Sequence, residues 1–132
     1  MADPRTYVAV AIGAALGGLC RYVINLHFVA RFGAGFPYGT FFINISGAFL
    51  IGVVVELSQT RALGIGPLTR IALTTGFLGG YTTFSSFAYE TITLGGDREW
   101  ALATAYGFGS VVVGVAACYV GMIVARLMIR SG

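Results

Sequence analysis

The chain has 132 residues, of which 57% are hydrophobic and 10% charged, and its mean hydropathy is +0.85. Soluble domains carry about 25% charged residues, so a water-soluble globule is excluded. Eight Arg with no Lys face five acids, a balance of +3. They are scattered without a basic cluster or interleaved aromatics, which excludes nucleic acid as a partner.

The first apolar segment runs from Thr6 to Val29, with Gly13, Gly17 and Gly18 inside it and Arg21 and His27 in its second half. Arg5 ahead of this run imitates a signal peptide, and Gly18-Leu19-Cys20 imitates a lipoprotein cleavage site. Leu19 is too large for such a site, so a retained segment is expected. Arg31 to Pro37 reads as a Gly-rich turn. The second segment, Gly39 to Leu57, has Asn44 and Ser46 as its polar interior. Gln59 to Pro67 connects it to the third, Leu68 to Leu94. After a turn at Gly95 to Glu99, the last segment runs from Trp100 to Ile129. At about 20 residues per membrane crossing, four crossings fill the chain as a single domain, 1–132.

Four crossings place both termini on one face of the membrane. Arg5, Arg61, Arg70, Arg126 and Arg130 then share that face, against Arg31, Arg98 and Arg21 on the other, five to three. Short-loop Lys and Arg orient membrane chains, so this bias is mild and insertion in both orientations is expected. A chain of that kind can dimerise with an inverted copy of itself, supplying the inverted repeat found in many transporters.

The centre of the third segment differs from everything else. Thr74, Thr75, Gly76, Gly79, Gly80, Thr82, Thr83, Ser85 and Ser86 fall within 13 residues. Glycine costs about 1 kcal/mol relative to alanine inside a helix, so a break at mid-membrane depth is expected. Broken backbone survives there only when buried in protein or lining a polar cavity. The alternative is an intact glycine-rich helix packed closely on its neighbours.

Phe84 and Phe87 lie on one face of the resuming helix. Aromatic ring edges are positive and can line an anion path when donors such as Thr83, Ser85 and Ser86 assist; core packing is the other reading. Asn44 reads either as a pathway residue or as an interhelical hydrogen bond. Tyr106 and Ser110 make either a hydroxyl ladder or, with Ser110-x-x-x-Gly114 and Ala117-x-x-x-Gly121, a small-residue seam. Glu90 shares the Phe87 face near the segment's end, where solvation alone would account for it. His27 has no second ligand at metal spacing, and Cys20 and Cys118 read as buried small hydrophobes. No nucleophile and base, nucleotide loop or proton-relaying acid is visible, so an enzyme is not expected.

Gly17-Gly18-Leu19-Cys20-Arg21-Tyr22, then Gly39-Thr40 with Asn44 and Gly47, then Gly76-Phe77-Leu78-Gly79-Gly80-Tyr81-Thr82-Thr83-Phe84-Ser85-Ser86-Phe87 together resemble the CrcB/Fluc fluoride channels in order and spacing. The resemblance implies an all-α bacterial inner-membrane protein with four transmembrane helices, the third broken. It implies passive fluoride export through two pores of an antiparallel, dual-topology homodimer in lipid. Phe84 and Phe87 would line the pore beside Asn44, with Tyr106 and Ser110 as a hydroxyl track and Thr40, Thr83, Ser85, Ser86, Glu90 and Arg21 around it. The track's next hydroxyl falls at Gly114, which has none. The main-chain oxygens of Gly79 and Thr82 would hold a structural sodium ion at the dimer centre. Two other readings compete: a small proton-coupled multidrug exporter, which would need a carboxylate in the first segment, and a structural membrane subunit.

Overall fold

A computed structural model of the chain describes residues 3–59, 65–96 and 99–131. Arg61 and Arg98, counted above for orientation, lie outside them. Among the described residues every regular element is helical.

Helix α1 spans Pro4–Phe32. Asp3 sets its start, its carboxylate accepting from Arg5 N at 3.0 Å with proline at the first helical position, as helix entry favours. Gly33 ends it at φ 79°, its N–H bonding Val29 O at 2.9 Å; left-handed φ is open to glycine without a steric penalty. Helix α2 spans Tyr38–Gln59.

The third segment is not one helix. A short α3, Pro67–Ile71, leads into a π-helical turn over Ala72–Leu78 and then the single turn α4, Gly79–Tyr81. Thr82 leaves the helical region at ψ 158°. Helix α5 resumes over Phe84–Gly96, and α6 spans Trp100–Ser131. The predicted break is therefore present, narrowed to Thr82 and Thr83. Three described helices are long and apolar enough to cross a membrane: Pro4–Phe32, Tyr38–Gln59 and Trp100–Arg130. The third segment, in pieces, supplies no fourth unbroken span.

Close backbone approach decides the packing. A Cβ on Gly13 would sit 2.6 Å from Ala72 O, one on Gly17 would strike Phe77 O, and one on Gly80 would strike Ala14 O. Only glycine lets α1 lie this close to the π-turn and α4, so these positions serve close packing, as the small-residue rule for membrane helices describes. The second seam is α2 on α6, where Gly52 faces Cys118 O, Gly121 faces Phe49 O, and Ala125 is fully buried. Gly121 belongs to the small-residue seam predicted for the last segment.

Contacts also give the relative directions. Gly13 meets Ala72 and Gly17 meets Tyr81, so α1 and the third segment run the same way; Gly52 with Cys118 and Glu56 with Arg126 show the same for α2 and α6. Thr40 with Glu90 and Asn44 with Thr83 make α2 and α5 antiparallel. Outward faces stay apolar, with Ile12, Leu16, Leu19, Val115 and Val120 among the exposed side chains. A bilayer solvates such a surface, whereas water does not.

Candidate functional site

Interrupting a helix frees main-chain donors and acceptors, and each must be accounted for. At Thr83 the account closes through α2. Asn44 Oδ1 accepts from Thr83 N at 2.8 Å, and Asn44 Nδ2 donates to Thr83 O at 3.0 Å. Thr83 also caps α5: its Oγ1 accepts from Ser86 N at 3.2 Å and donates to Ser86 Oγ at 3.0 Å. On the other side of the break, Thr82 N and Thr82 Oγ1 both donate to Leu78 O, at 3.0 and 2.9 Å. Tyr81 OH pairs with Ser46 Oγ at 2.9 Å, while Gly47 lies against the Thr82 methyl where no Cβ would fit. Asn44, Ser46 and Gly47 thus hold the break from α2.

Thr82 turns extended, so Gly79 O and Thr82 O are among the carbonyls that a helix end does not pair. Thr83 N goes to Asn44 Oδ1, and Ser86 N, a first-turn donor of α5, goes to Thr83 Oγ1. Gly79 and Thr82 are the residues expected to offer oxygens to a cation. Neutral carbonyls suit a hard monovalent ion, whereas calcium sites normally recruit carboxylates.

Two cavities flank the break. One of about 420 Å³ is lined by Asn44, Gly79, Thr82, Phe84, Phe87 and Ser110. Ser110 Oγ is buried there without a hydrogen-bond partner. Phe84 is 80% exposed, and its ring centroid lies 5.8 Å from that of Phe87. The other cavity, about 390 Å³, gathers Arg21, Thr40, Thr83, Ser85, Ser86 and Glu90. Thr83 borders both. The sequence-predicted residues therefore divide between two hollows on either side of Thr83.

Tyr106 borders neither of these cavities. It is buried at 2% exposure, packed at a tilt against Phe87 with ring centroids 5.4 Å apart, and its hydroxyl donates to Glu90 Oε2 at 2.8 Å. Thr40 Oγ1 donates to the other Glu90 oxygen at 2.7 Å. Glu90 is thus held by two hydroxyls, and solvation alone does not describe it. The hydroxyls of Tyr106 and Ser110, one helical turn apart, end in different surroundings. A Cβ on Gly114, the next position of that stripe, would meet only Ile45 Cδ1, at 3.7 Å.

Two residues of this neighbourhood were not singled out by the sequence. Asn25 lines the Arg21 cavity; its signal was its place four residues after Arg21, on the same helix face. Phe36, in the turn after α1, meets the Tyr106 ring edge to face at 5.4 Å and 80°, and nothing in its spacing marked it.

Comparison with known proteins bears on this geometry. The model of the CrcB-like protein, Camphor Resistance (CrcB) family matches residues 8–122. The chain belongs to the CrcB family. Relatives named fluoride-specific ion channel FluC include one from Trichormus variabilis, 46% identical over 93% of this chain and 90% of its own length. Another from Geobacter metallireducens is 47% identical over 92% and 97%, and one from Roseiflexus sp. 42% identical over 92% and 97%. The family match spans α1 through most of α6, so it includes the break and both cavities.

Proposed function

We propose that this chain is a fluoride-selective channel that lets fluoride leave the bacterial cytoplasm passively across the inner membrane. The observation that carries the reading is the cavity beside the break, in a chain whose full-length relatives are named fluoride channels. There the two phenylalanines meet a buried serine hydroxyl, Ser110 Oγ, that has no partner. An unpaired buried hydroxyl is costly, and a small anion that accepts from it removes the cost. Ring edges of Phe84 and Phe87 add positive potential without a fixed charge. Fluoride is small and tightly hydrated, so dense neutral donors can replace its water while larger halides do not fit.

The working unit is an antiparallel homodimer of four-crossing chains with two pores. Phe84, 80% exposed in the isolated chain, and the apolar faces of α1 and α6 support a partner and lipid around it. The freed oxygens of Gly79 and Thr82 fit a sodium ion, which would supply a fixed positive charge at the dimer centre. Purified protein in liposomes, loaded with fluoride or chloride, tests the reading. Fluoride should escape down its own gradient while chloride is retained. Equal rates for both, or a requirement for a proton gradient, would refute it, the second in favour of a coupled exporter.

A further inference from the structure

A third cavity, about 290 Å³, lies under the turn after α1 and is lined by Gly35, Phe36, Pro37, Tyr89 and Thr93. It shares two polar residues with the cavity that holds Arg21, Ser85 and Ser86: Asn25 and Glu90 border both. Both Glu90 oxygens accept hydroxyl hydrogen bonds, so Glu90 offers an anion no donor at this boundary. Asn25 is the donor-bearing side chain of the pair. Gly39 makes room for its carboxamide: a Cβ there would fall on Asn25 Oδ1 and lie 3.1 Å from Asn25 Cα. The carbamoyl oxygen therefore occupies the space against the Gly39 backbone, where a Cα–H is a weak donor. The amide nitrogen, on the other branch, lies farther from that Cβ than the oxygen does.

We infer that Asn25 is a further anion-recognising residue, its amide N–H groups serving the passage between the Arg21 cavity and the cavity under the 33–37 turn. The inference deepens the fluoride-channel reading and rests on it. Arg21, one helical turn before Asn25 on α1, opposes the Glu90 charge in the shared cavity, and Asn25 then supplies a neutral donor where the anion leaves that compensation. The passage gives fluoride a second way to and from the break, bordered by Phe36 and by Gly33 in the turn.

Fluoride efflux from liposomes is measured for the wild-type protein and for Asn25→Asp, Asn25→Leu and Asn25→Gln, each checked for the wild-type elution volume. Asp and Leu both withdraw the N–H donors while keeping a similar volume, and Gln retains them. Flux should fall about tenfold or more in the Asp and Leu variants, the loss expected for a hydrogen bond to a charged partner, and stay within about threefold of wild type in Gln. If Asp does not assemble, Leu against Gln decides. Leu and Asp fluxes within about twofold of wild type overturn the inference, as does a fall in Asp alone, which would report added charge, or an equal fall in all three, which would report packing. A wild-type protein without fluoride flux overturns the channel reading itself.

Discussion

Replacing Asn44 with leucine removes both ends of the clamp on Thr83 while nearly conserving volume. Thr83 is 7% exposed, and its N–H and C=O each have Asn44 as the hydrogen-bond partner, at 2.8 and 3.0 Å. An orphaned buried polar group costs about 1–3 kcal/mol, so two such groups make the loss about 2–6 kcal/mol. The lower end applies where water from the adjoining cavity reaches the freed groups, since a polar site of that size admits it. Extending the helix through the break is no escape, because Thr83 already caps α5 through Ser86 N at 3.2 Å.

Two measurements follow the perturbation. Denaturation in detergent reads the stability loss, and hydrogen exchange at the Thr83 amide reads the clamp directly, with protection expected in the wild type and lost in Asn44→Leu. Fluoride flux should fall with it, because the same clamp holds Phe84 and Ser86 in place. An Asn44→Leu protein within about 0.5 kcal/mol of wild type, the range of neutral surface substitutions, with its Thr83 amide still protected, would refute the assignment.

Phe84→Ile and Phe87→Ile should each suppress fluoride flux with the protein still eluting at its wild-type volume, and unchanged flux in both would return the rings to packing. Phe87→Ile should cost more stability, since Phe87 packs at a tilt against buried Tyr106 and Phe84 is exposed. Gly80→Ala puts a methyl on Ala14 O and should destabilise by about 1–3 kcal/mol, as overpacking does, whereas Gly96→Ala, with nothing within 4 Å, should be neutral in thermal unfolding. Single cysteines in the 33–37 turn, with Cys20 and Cys118 removed, should label from both sides of a membrane; one-sided labelling would contradict dual topology.

Much of the fold was legible because the solvent dictates it. Long apolar runs have few alternatives to a helix in hydrocarbon, and α1, α2 and α6 coincide with three of the predicted segments to within a few residues. The third segment was legible as anomalous, because three glycines among hydroxyl residues oppose a continuous helix. What stayed hidden depends on partners distant in sequence. The π-turn over Ala72–Leu78 is fitted to glycines of α1 some sixty positions earlier. Glu90 looked solvated until α2 and α6 brought Thr40 and Tyr106 to its two oxygens. Asn44 presented two readings on the sequence, and the clamp accounts for the interhelical one while the cavity it borders keeps the other in play.

The extended Thr82, at ψ 158°, ends the helix before it, so Gly79 O and Thr82 O are among the carbonyls that a helix end leaves without an intrahelical donor. Asn44 holds Thr83 N and Thr83 Oγ1 holds Ser86 N, which fixes the backbone on the far side of the break. The two oxygens expected to hold sodium are therefore positioned by two specific side chains, one of which can be removed alone. Thr83→Val keeps shape and the main-chain clamp to Asn44 but deletes the cap on Ser86 N, which fixes the entry into α5 directly after Thr82. Half of the oxygen set then loses its fixed position. Replacing sodium with a bulky organic cation should lower the melting temperature of the wild-type protein, since an ion bound only to the folded state stabilises it by mass action. In Thr83→Val that sodium dependence should shrink or vanish while the elution volume stays that of the wild type. Equal sodium dependence in both proteins would show that Thr82 O does not need the Thr83 cap to hold the ion. No dependence in the wild type would remove sodium from the break.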